Sequence, residues 1–306
     1  MLGPVLARRA IQAFVVLFLL VSTLFFVSRM SGDPVVMLTE GALTPEDVGI
    51  IRDAYGFNDP ILVQYGRFLG EVAQGDFGTS VRTFQPASDL VIDRIQVSLQ
   101  LVIPAFLLVI LIAIPLGSLA AVKRGAIGAL AMLMALVFQS VPSFFLGVLY
   151  IFLFGVTLGW LPVFGTGGLE NYILPVATLM GYPLARYTRL MRAQVSETLT
   201  QEFVRTARAK GLAETKVIRK HVMRNSLLPI ITVMGVDVGT LVGSAIIVEA
   251  VFAWPGFGTL VVEAAKTRDY PVIQAAGFTV GVLVLAGSLV ADFAYGMIDP
   301  RIRRRS

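Results

Sequence analysis

The sequence predicts an all-α integral membrane protein with six membrane-spanning helices. Of the 306 residues, 56% are hydrophobic and only 15% are charged, whereas soluble domains carry roughly a quarter charged residues. The mean hydropathy is +0.79, and the apolar residues are concentrated in long runs separated by polar segments. Most of the chain is therefore expected to be surrounded by lipid.

A spanning helix needs about 20 mostly apolar residues, and six runs approach or exceed that length. The candidate spans are Ile11–Val27, Val97–Val122, Ile127–Leu158, Tyr172–Met191, Leu227–Phe252 and Ile273–Ile298. The fourth is the weakest, because Pro183, Arg186 and Arg189 interrupt its second half. The prolines inside other spans are expected as kinks, which neighbouring membrane helices can accommodate.

The distribution of Lys and Arg predicts the orientation of the chain. With the N-terminus inside, the inner segments hold 18 of the 25 basic residues. The segment 31–96 then lies outside, with four arginines against ten acidic residues. Both termini are therefore expected in the cytoplasm. The first run is expected to be an uncleaved anchor, because no small-residue cleavage site follows it.

The predicted organisation has four parts, of which the second is a large outer insert. These parts are residues 1–30 (N-terminus and first span), 31–96 (extracytoplasmic insert), 97–298 (core bundle) and 299–306 (cytoplasmic tail). In the insert, Thr44-Pro45-Glu46-Asp47 has the residues of a helix start, and a second helix is predicted over Ile61–Ala73. The insert is either a cap over the bundle or a docking surface for a delivered solute, and the sequence leaves both interpretations open.

The most informative segment is Glu202–Pro229, a basic stretch between two apolar runs. It predicts two short helices, Gln201–Ala209 and Glu214–Arg224, separated at Gly211. Glycine adopts backbone conformations that other residues avoid, so it can turn the chain sharply between them.

The second of these helices is predicted to be amphipathic. Lys216, Lys220 and Arg224 recur at four-residue spacing, while Ile218 and Val222 form an apolar line. A basic amphipathic helix lies on a membrane surface or docks a partner. Two short helices joined at a glycine favour a compact docking element.

Further motifs make the segment specific. It reads Thr206-Ala207-Arg208-Ala209-Lys210-Gly211-Leu212, followed by His221 to Asn225 and by Pro229. Other motifs, in chain order, are Gly32-Asp33-Pro34, Gly75-Asp76-Phe77-Gly78-Thr79-Ser80, Ser140-Val141-Pro142-Ser143-Phe144, Glu249-Ala250-Val251-Phe252, Pro255-Gly256-Phe257-Gly258, Asp269-Tyr270-Pro271 and Asp299-Pro300-Arg301. In this order the motifs resemble, over essentially the whole chain, the B-type permease of the dipeptide/oligopeptide/nickel branch of ABC importers.

This resemblance implies the type I ABC importer permease fold, with the large insert between helices 1 and 2. It also implies a cytoplasmic coupling loop, residues 196–226, that receives energy from ATPase subunits. The residues expected to form its contact surface are Ala207, Arg208, Ala209, Lys210, Gly211, Leu212, Ala213, Glu214, Thr215 and Lys216. The basic residues Lys216, Arg219, Lys220 and Arg224 either pair with an acidic ATPase surface or anchor the loop at lipid headgroups.

The resemblance also implies partners. They are a second homologous permease in a heterodimer, two ATP-binding cassette ATPase subunits or domains, and an extracytoplasmic solute-binding protein, in a bacterial or archaeal inner (plasma) membrane. The chain lacks any Gly-Lys-Ser/Thr sequence, so it has no P-loop. It is expected not to be an enzyme and to hold no cofactor, while ATP and magnesium belong to the ATPases.

Dipeptides or oligopeptides are the first expected substrates, followed by nickel, glutathione and opine-like compounds. A stand-alone channel or secondary transporter is the alternative from another class, and it would transport without ATP. The chain has no cysteine and one histidine, His221, so no metal site is expected. Topology accounts for the basic residues without nucleic acid.

Three acidic residues lie inside the predicted spans: Asp237, Glu249 and Asp292. An acid at the bilayer centre costs about 2.5–3.5 kcal/mol on insertion scales, so each should face the bundle interior, a partner or water. Asp237 is the candidate pathway residue, although a structural role is equally open. Glu249 and Asp292 lie nearer span ends, where structural hydrogen bonding is favoured. The small-residue spacing Gly239–Gly243 predicts a close helix contact, within the chain or with the second permease.

Overall fold

The computed structural model describes residues 2–30, 49–50, 52, 58–123 and 125–298. Within these ranges, the side chains of residues 2–7, 127, 236, 238 and 291–298 are not described. The expected helix start at Thr44 lies outside the described residues. The described part is helical, with one isolated bridge between Thr79 and Pro86, which confirms the all-α class.

The helices that the structure describes are numbered in chain order. They are α1 (Leu2–Met30), α2 (Ile61–Ala73), α3 (Ala87–Val122), α4 (Ala126–Ser140), α5 (Ser143–Tyr150), α6 (Glu170–Thr198), α7 (Glu202–Ala209), α8 (Glu214–Lys216), α9 (Met223–Phe252), α10 (Phe257–Thr267) and α11 (Tyr270–Ile298). Two π-helical segments, Ile151–Thr157 and Val217–Val222, continue α5 and α8. The predicted bounds of α2 are confirmed.

In the part of the chain that the structure describes, three helices are long and apolar enough to cross a membrane singly. They lie at Arg8–Met30, Ala87–Val122 and Tyr270–Val290, and two bent helix pairs raise the number to as many as five. The fourth predicted span lies within α6, a single helix of 29 residues. Helix α6 does not reach the apolarity of the others, because three arginines lie along it.

The third predicted span is not continuous. Helix α4 ends at Ser140, α5 begins at Ser143, and the two directions differ by 103°. Proline disfavours the helical conformation of the residue before it, and Val141, which precedes Pro142, is extended with ψ 124°. The kink expected at Pro142 is therefore a full break, and the predicted span Ile127–Leu158 consists of two helices that are apolar enough to form one span together.

Two compact units are formed by residues 1–98 with 255–282 and by residues 99–254 with 283–306. The four predicted parts of the chain follow sequence order and membrane side, so this division does not test them.

In the first unit, α1 packs closely on α11. A Cβ atom at Gly277 would lie 2.7 Å from Leu24 Cδ1, and one at Gly281 would lie 2.6 Å from Leu20 Cδ2. Small residues four apart allow helices in a membrane to approach in this way. Helix α2 also contacts α1, where the rings of Phe68 and Phe25 are 5.1 Å apart.

In the second unit, α6 lies among its neighbours and packs against α4, α5 and α9. It also touches α3, since a Cβ atom at Gly117 would lie 2.5 Å from the carbonyl oxygen of Thr188. Tyr172 of α6 packs edge-on against Trp254, with ring centroids 4.8 Å apart. Helix α6 therefore carries the side chains that meet the other helices of this unit.

Candidate functional site

The residues predicted to contact a partner lie together between α6 and α9. We name residues 202–224 the loop element, which consists of α7, a turn, α8, the π-helical segment after it and the first two residues of α9. Of the ten positions from Ala207 to Lys216, eight are exposed, Leu212 is half-buried and Ala207 is buried. The element therefore presents most of these residues at its surface. Their coupling role stays a prediction.

The chain turns at Gly211, as its position between two helical patterns predicts. Its φ is +72°, in the left-handed region, and the Leu212 amide donates to the carbonyl of Ala207 at 3.4 Å beyond the end of α7. Glycine is common at this position after a helix. A Cβ atom at Gly211 would meet no atom within 4 Å. The preference for glycine therefore comes from the backbone angle and not from crowding.

Arg208 and Glu214 join the two sides of this turn. Arg208 Nε donates to Glu214 Oε2 at 3.0 Å, and Arg208 Nη2 donates to Oε1 at 2.6 Å. This hydrogen-bonded pair raises the pKa of Arg208 and lowers the pKa of Glu214. An exposed ion pair contributes little to global stability. Its two parallel bonds nevertheless define one orientation of α7 relative to α8.

The loop element contains four buried apolar residues. Val204 and Ala207 of α7 are buried, and Val217 and Val222 of the π-helical segment are fully buried. The sequence predicted an apolar line through Ile218 and Val222, but Ile218 is only half-buried. In a π-helix the backbone bonds join residues five apart. Val217 therefore shares a face with Val222, and the predicted apolar line through Ile218 and Val222 is joined by Val217, which is more deeply buried than Ile218.

Helix α8 is not a separate short helix. It continues through the π-helical segment into α9, which extends to Phe252 and contains Pro229 in its interior. The prediction of a helix ending at Arg224 was therefore wrong, because Pro229 removes one backbone donor without ending this membrane helix. As a result, the second half of the loop element and the first part of α9 share one helical backbone from Glu214 to Gly235, after which α9 bends by 56°.

A second connection ties the loop element to the bundle. The fully buried Ser226 of α9 donates to Thr198 Oγ1 of α6 at 2.9 Å. Thr198 Oγ1 in turn donates to the carbonyl of Gln194 at 2.7 Å. This pair of hydroxyl bonds holds the first turns of α9 against the last turns of α6, so both ends of the loop element are held on the bundle.

The surface of the loop element is basic with one aromatic side chain. Lys216, Arg219, Lys220 and Arg224 are all exposed. Phe203 on α7 is 41% exposed. Such a surface combines positive charge with one apolar contact, which are the two features that an acidic partner groove requires.

Asp237 is buried in α9 and has two partners on α6. Arg186 Nη1 donates to Asp237 Oδ2 at 2.5 Å, and Tyr187 Oη donates to the same oxygen at 2.9 Å. The side chain of Asp237 is 11% exposed and that of Arg186 is 41% exposed. The intramembrane charge of Asp237 is therefore compensated by an arginine.

Glu249 is fully buried near the end of α9. Its backbone carbonyl accepts a bond from the Trp254 amide at 2.8 Å, which closes the helix end next to Ala253 at a φ of +51°. The predicted structural position of Glu249 thus coincides with a helix stop. The side chain of Asp292 lies outside the described residues, so its role stays a prediction.

Two cavities open along α6 in the second unit. The first, of about 310 Å³, adjoins the break between α4 and α5 and is lined by polar groups that include Gln139, Tyr182 and Ser244. The second, of about 760 Å³, shares Gln139 and Tyr182 with the first. We name the second the arginine cavity, because Arg186, Arg189 and Arg192 line it.

The first unit has a cavity of about 370 Å³ between α1, α2 and the start of α11. Nearby, Ser80 Oγ donates to Asp269 Oδ2 at 2.5 Å, and Gln274 Nε2 donates to Ser28 Oγ at 3.0 Å. These bonds fix residues 77–86 and α11 to each other and to α1. Because a packed cap and a docking surface would both look like this, both interpretations of the outer insert stay open.

Sequence reasoning missed the partners of Asp237. It treated Arg186 only as an interruption of an apolar run, and it did not single out Tyr187 or Gln139. A usable signal was present, because an unpaired charge inside a span is costly. An arginine in one span and an aspartate in the next therefore suggest a pair.

Among the described residues, no group of three or more His, Asp or Glu residues could hold a metal ion.

Comparison with known families matches nearly the whole chain in two consecutive segments. Residues 113–304 match the family described as "Binding-protein-dependent transport system inner membrane component". Residues 1–102 match the N-terminal region of binding-protein-dependent transport system membrane components.

Individual relatives align over almost their full length. The chain is 36% identical to the oligopeptide transport system permease protein AppB of Bacillus subtilis (strain 168), covering 96% of this chain and 98% of that protein. It is 37% identical to the glutathione transport system permease protein GsiC of Escherichia coli (strain K12), covering 91% of each.

Solved structures of lower identity share the fold. An inward-facing structure of the MetNI methionine ABC transporter superposes with a TM-score of 0.55 at 19% identity, covering 69% of this chain and 96% of that chain. An amino acid ABC transporter with histidines superposes with a TM-score of 0.54 at 17% identity, covering 68% of this chain and 93% of that chain.

Proposed function

Because the chain belongs to the family of binding-protein-dependent transport system inner membrane components and is a translocation subunit of an ABC importer, we propose that it forms half of a pathway for di- and oligopeptides. The relatives named above transport oligopeptides and glutathione, and glutathione is itself a tripeptide. A small peptide is therefore the substrate chemistry that both names share. Nickel and opine-like compounds are the alternative cargoes.

An importer permease of this family works in the inner membrane with ATPase and binding-protein partners. We further propose that a second, homologous permease supplies the other half of the pathway, and that both termini of this chain are cytoplasmic. This orientation agrees with the 18 of 25 basic residues that it places on the inner side. ATP and magnesium would bind in the ATPases, since the chain has no P-loop sequence.

The observation that carries the coupling role is the exposed loop element at the start of the continuous α8–α9 backbone. ATP-driven closure of the ATPases would move this element as one body, because Arg208 and Glu214 join its two sides. The motion would pass to α9 through the shared backbone and to α6 through the bond between Ser226 and Thr198. Shifting a two-state population from 1:99 to 99:1 requires about 5.5 kcal/mol of differential binding.

The basic residues of the loop element have two proposed roles. The residues immediately after Gly211, up to Lys216, would contact the ATPase. Arg219, Lys220 and Arg224 are exposed further along the same helix and would face lipid headgroups or solvent. Anionic headgroups attract such residues by about 1 kcal/mol for each base near the surface.

Asp237 is proposed to border the pathway through its partner. Its own carboxylate is largely covered, whereas Arg186 lines the arginine cavity. Asp237 would therefore position Arg186 rather than contact the solute. Glu249 and Asp292 are proposed as structural residues near helix ends.

The test is ATP-driven uptake in reconstituted vesicles. The chain would be reconstituted with its second permease, the ATPases and the binding protein, and a labelled tripeptide would be supplied outside. We expect accumulation that requires ATP and that is lost when the P-loop lysine of the ATPases is replaced. Equal uptake without ATP would overturn the importer proposal in favour of a channel or secondary transporter.

The cargo is tested separately on the binding protein. Its thermal unfolding would be followed with dipeptides, longer peptides, glutathione, nickel ions and opines. We expect a peptide to raise the unfolding temperature most, because a ligand bound only to the native state stabilises it. Stabilisation by nickel alone would replace the peptide assignment and would leave the importer assignment intact.

A further inference from the structure

We propose that the arginine cavity binds the carboxylate of the transported solute during its passage. This inference rests on the proposed peptide transport and adds a specific chemical contact to it. The binding residues are Arg189 and Arg192 of α6, and Arg186 is a neighbouring charge that Asp237 already neutralises.

The cavity is formed along one face of α6. Tyr182, Arg186, Arg189, Ala193 and Ser196 all line it, and they follow one another at spacings of four, three, four and three residues. This spacing places side chains on one side of a helix. Arg192, three residues after Arg189, lines the same space, so three arginines project toward one cavity of about 760 Å³.

The positive charge of the arginine cavity is not balanced by acidic residues of its own wall, because no Asp or Glu is among the described residues that line it. Arg186 is paired with Asp237, and Arg189 donates a hydrogen bond to the neutral side chain of Gln139. Arg192 is exposed into the cavity and has no ion pair in the described part of the chain. Two positive charges thus remain on the cavity wall.

Arginines without an acidic partner on the wall of one cavity point to an anion, because walls of one charge sign concentrate ligands of the opposite sign. The arginine fork matches the two oxygens of a carboxylate. Every linear peptide with a free C-terminus carries a carboxylate whatever its side chains, so such a site is compatible with a pathway that accepts many sequences.

The neighbouring cavity favours a moving solute over a lipid headgroup. Gln139 and Tyr182 line both the arginine cavity and the smaller cavity at the break between α4 and α5. The two spaces are therefore adjacent, with the polar side chains of Gln139 and Tyr182 on their common boundary. A headgroup held at the membrane surface would use only the outer part of such a space, whereas a passing peptide would contact all of it.

The absence of cysteine from the chain allows a direct test in the complete reconstituted transporter. One thiol would be introduced into the cavity by Ala193→Cys, with Ser196→Cys as a second reporter if the first variant is poorly folded. Its reaction with a negatively charged and with a positively charged thiosulfonate would be timed without ATP. Relative to a free thiol, we expect the anionic reagent to be favoured roughly tenfold by the positive field.

Two variants identify the source of this preference. Adding Arg189→Gln and Arg192→Gln should return the ratio of the two rates to that of a free thiol. Lys123→Gln removes one exposed positive charge elsewhere and should leave the ratio unchanged. A ratio that survives the loss of both arginines would overturn the proposal.

Protection identifies the ligand. A tripeptide with a free C-terminal carboxylate should slow the labelling of the introduced thiol, and the same tripeptide with a C-terminal amide should not. Equal protection by acid and amide would overturn the carboxylate site. Protection that requires phosphatidylglycerol in the vesicles, with no effect of peptide, would likewise overturn it and assign the cavity to lipid. The labelling is timed without ATP, so its failure alongside intact ATP-driven uptake would leave the proposed function standing.

Discussion

Arg186 of α6 donates a 2.5 Å hydrogen bond to the carboxylate of Asp237 in α9. Tyr187 donates to the same oxygen at 2.9 Å, so two consecutive residues of one helix hold a single acid of another. A carboxylate inside a membrane unit is costly when it is unpaired. The three side chains therefore explain how α9 can carry an aspartate in the middle of its apolar run.

Replacing one member of this ion pair should destabilise the protein more than replacing both. Asp237→Asn would leave Arg186 unpaired, and we expect the free energy of unfolding to fall by about 1–3 kcal/mol. Breaking a fully buried pair costs ~3–5 kcal/mol, and the smaller loss is expected here because Arg186 is partly exposed. Arg186→Gln should behave similarly, and the double variant should recover much of the loss. Thermal unfolding of the purified transporter measures these differences as a double-mutant cycle. Additive losses in the double variant would contradict a direct coupling.

Features set by local residue order were predictable from the sequence. Helix α2 has the predicted bounds Ile61–Ala73, because turn residues precede it and follow it. The turn at Gly211 was predictable for the same reason, since glycine between two helical patterns has few other interpretations. The apolar length of α3 was likewise sufficient to predict a span.

Features set by packing were not predictable. The π-helical bonds that bury Val217 instead of Ile218 depend on how the loop element folds on itself. Trp254, whose residue type suits a membrane interface, is instead fully buried against Tyr172. The sequence suggests that Asp237 is paired, but the choice of Arg186 as its partner depends on which helices are neighbours, and a single sequence does not show this.

Gly211→Ala should destabilise the loop element through the backbone alone. A left-handed conformation costs a residue with a Cβ atom roughly 1–2 kcal/mol, and no neighbouring atom lies within 4 Å to add a clash. We expect faster hydrogen exchange in α7 and fewer peptides transported for each ATP hydrolysed. The control is Gly70→Ala in α2, where a Cβ atom also meets nothing within 4 Å and φ is ordinary. That change should leave coupling unaltered and stabilise α2 by about 0.5–1 kcal/mol. Equal effects of the two variants would contradict the role of the φ angle.

Loss of the bond between Arg208 and Glu214 should make the turn at Gly211 less ordered in acid. Its hydrogen bonds lower the pKa of Glu214, so their contribution is fully present above the ordinary carboxylate pKa. It is lost as the pH falls through the lowered value. Hydrogen exchange of the Gly211 and Leu212 amides, compared at each pH with the Glu214→Gln variant, measures this contribution. The two proteins should differ at neutral pH and converge in acid. A difference that persists unchanged into strong acid would show that the glutamate charge does not stabilise the turn.

Gly239 and Gly243 should respond differently to the same substitution, although both belong to one small-residue spacing. A Cβ atom at Gly239 would lie 2.1 Å from Val284 Cγ2 and 2.8 Å from Val284 Cα, whereas one at Gly243 would meet nothing within 4 Å. Gly239→Ala must therefore displace the backbone of α11, and we expect a loss of about 1–3 kcal/mol from overpacking.

Gly243→Ala instead removes the flexibility of glycine within a helix, and we expect a gain of about 0.5–1 kcal/mol. Thermal unfolding of this chain without its second permease compares the two variants. Because a Cβ atom at Gly243 would meet no described atom within 4 Å, Gly243→Leu would test whether the second permease contacts α9 at this position. If α9 meets the second permease there, the larger side chain should reduce co-purification of that subunit while leaving the unfolding temperature of the chain alone unchanged. Equal destabilisation by Gly239→Ala and Gly243→Ala would instead place both glycines in one internal helix contact.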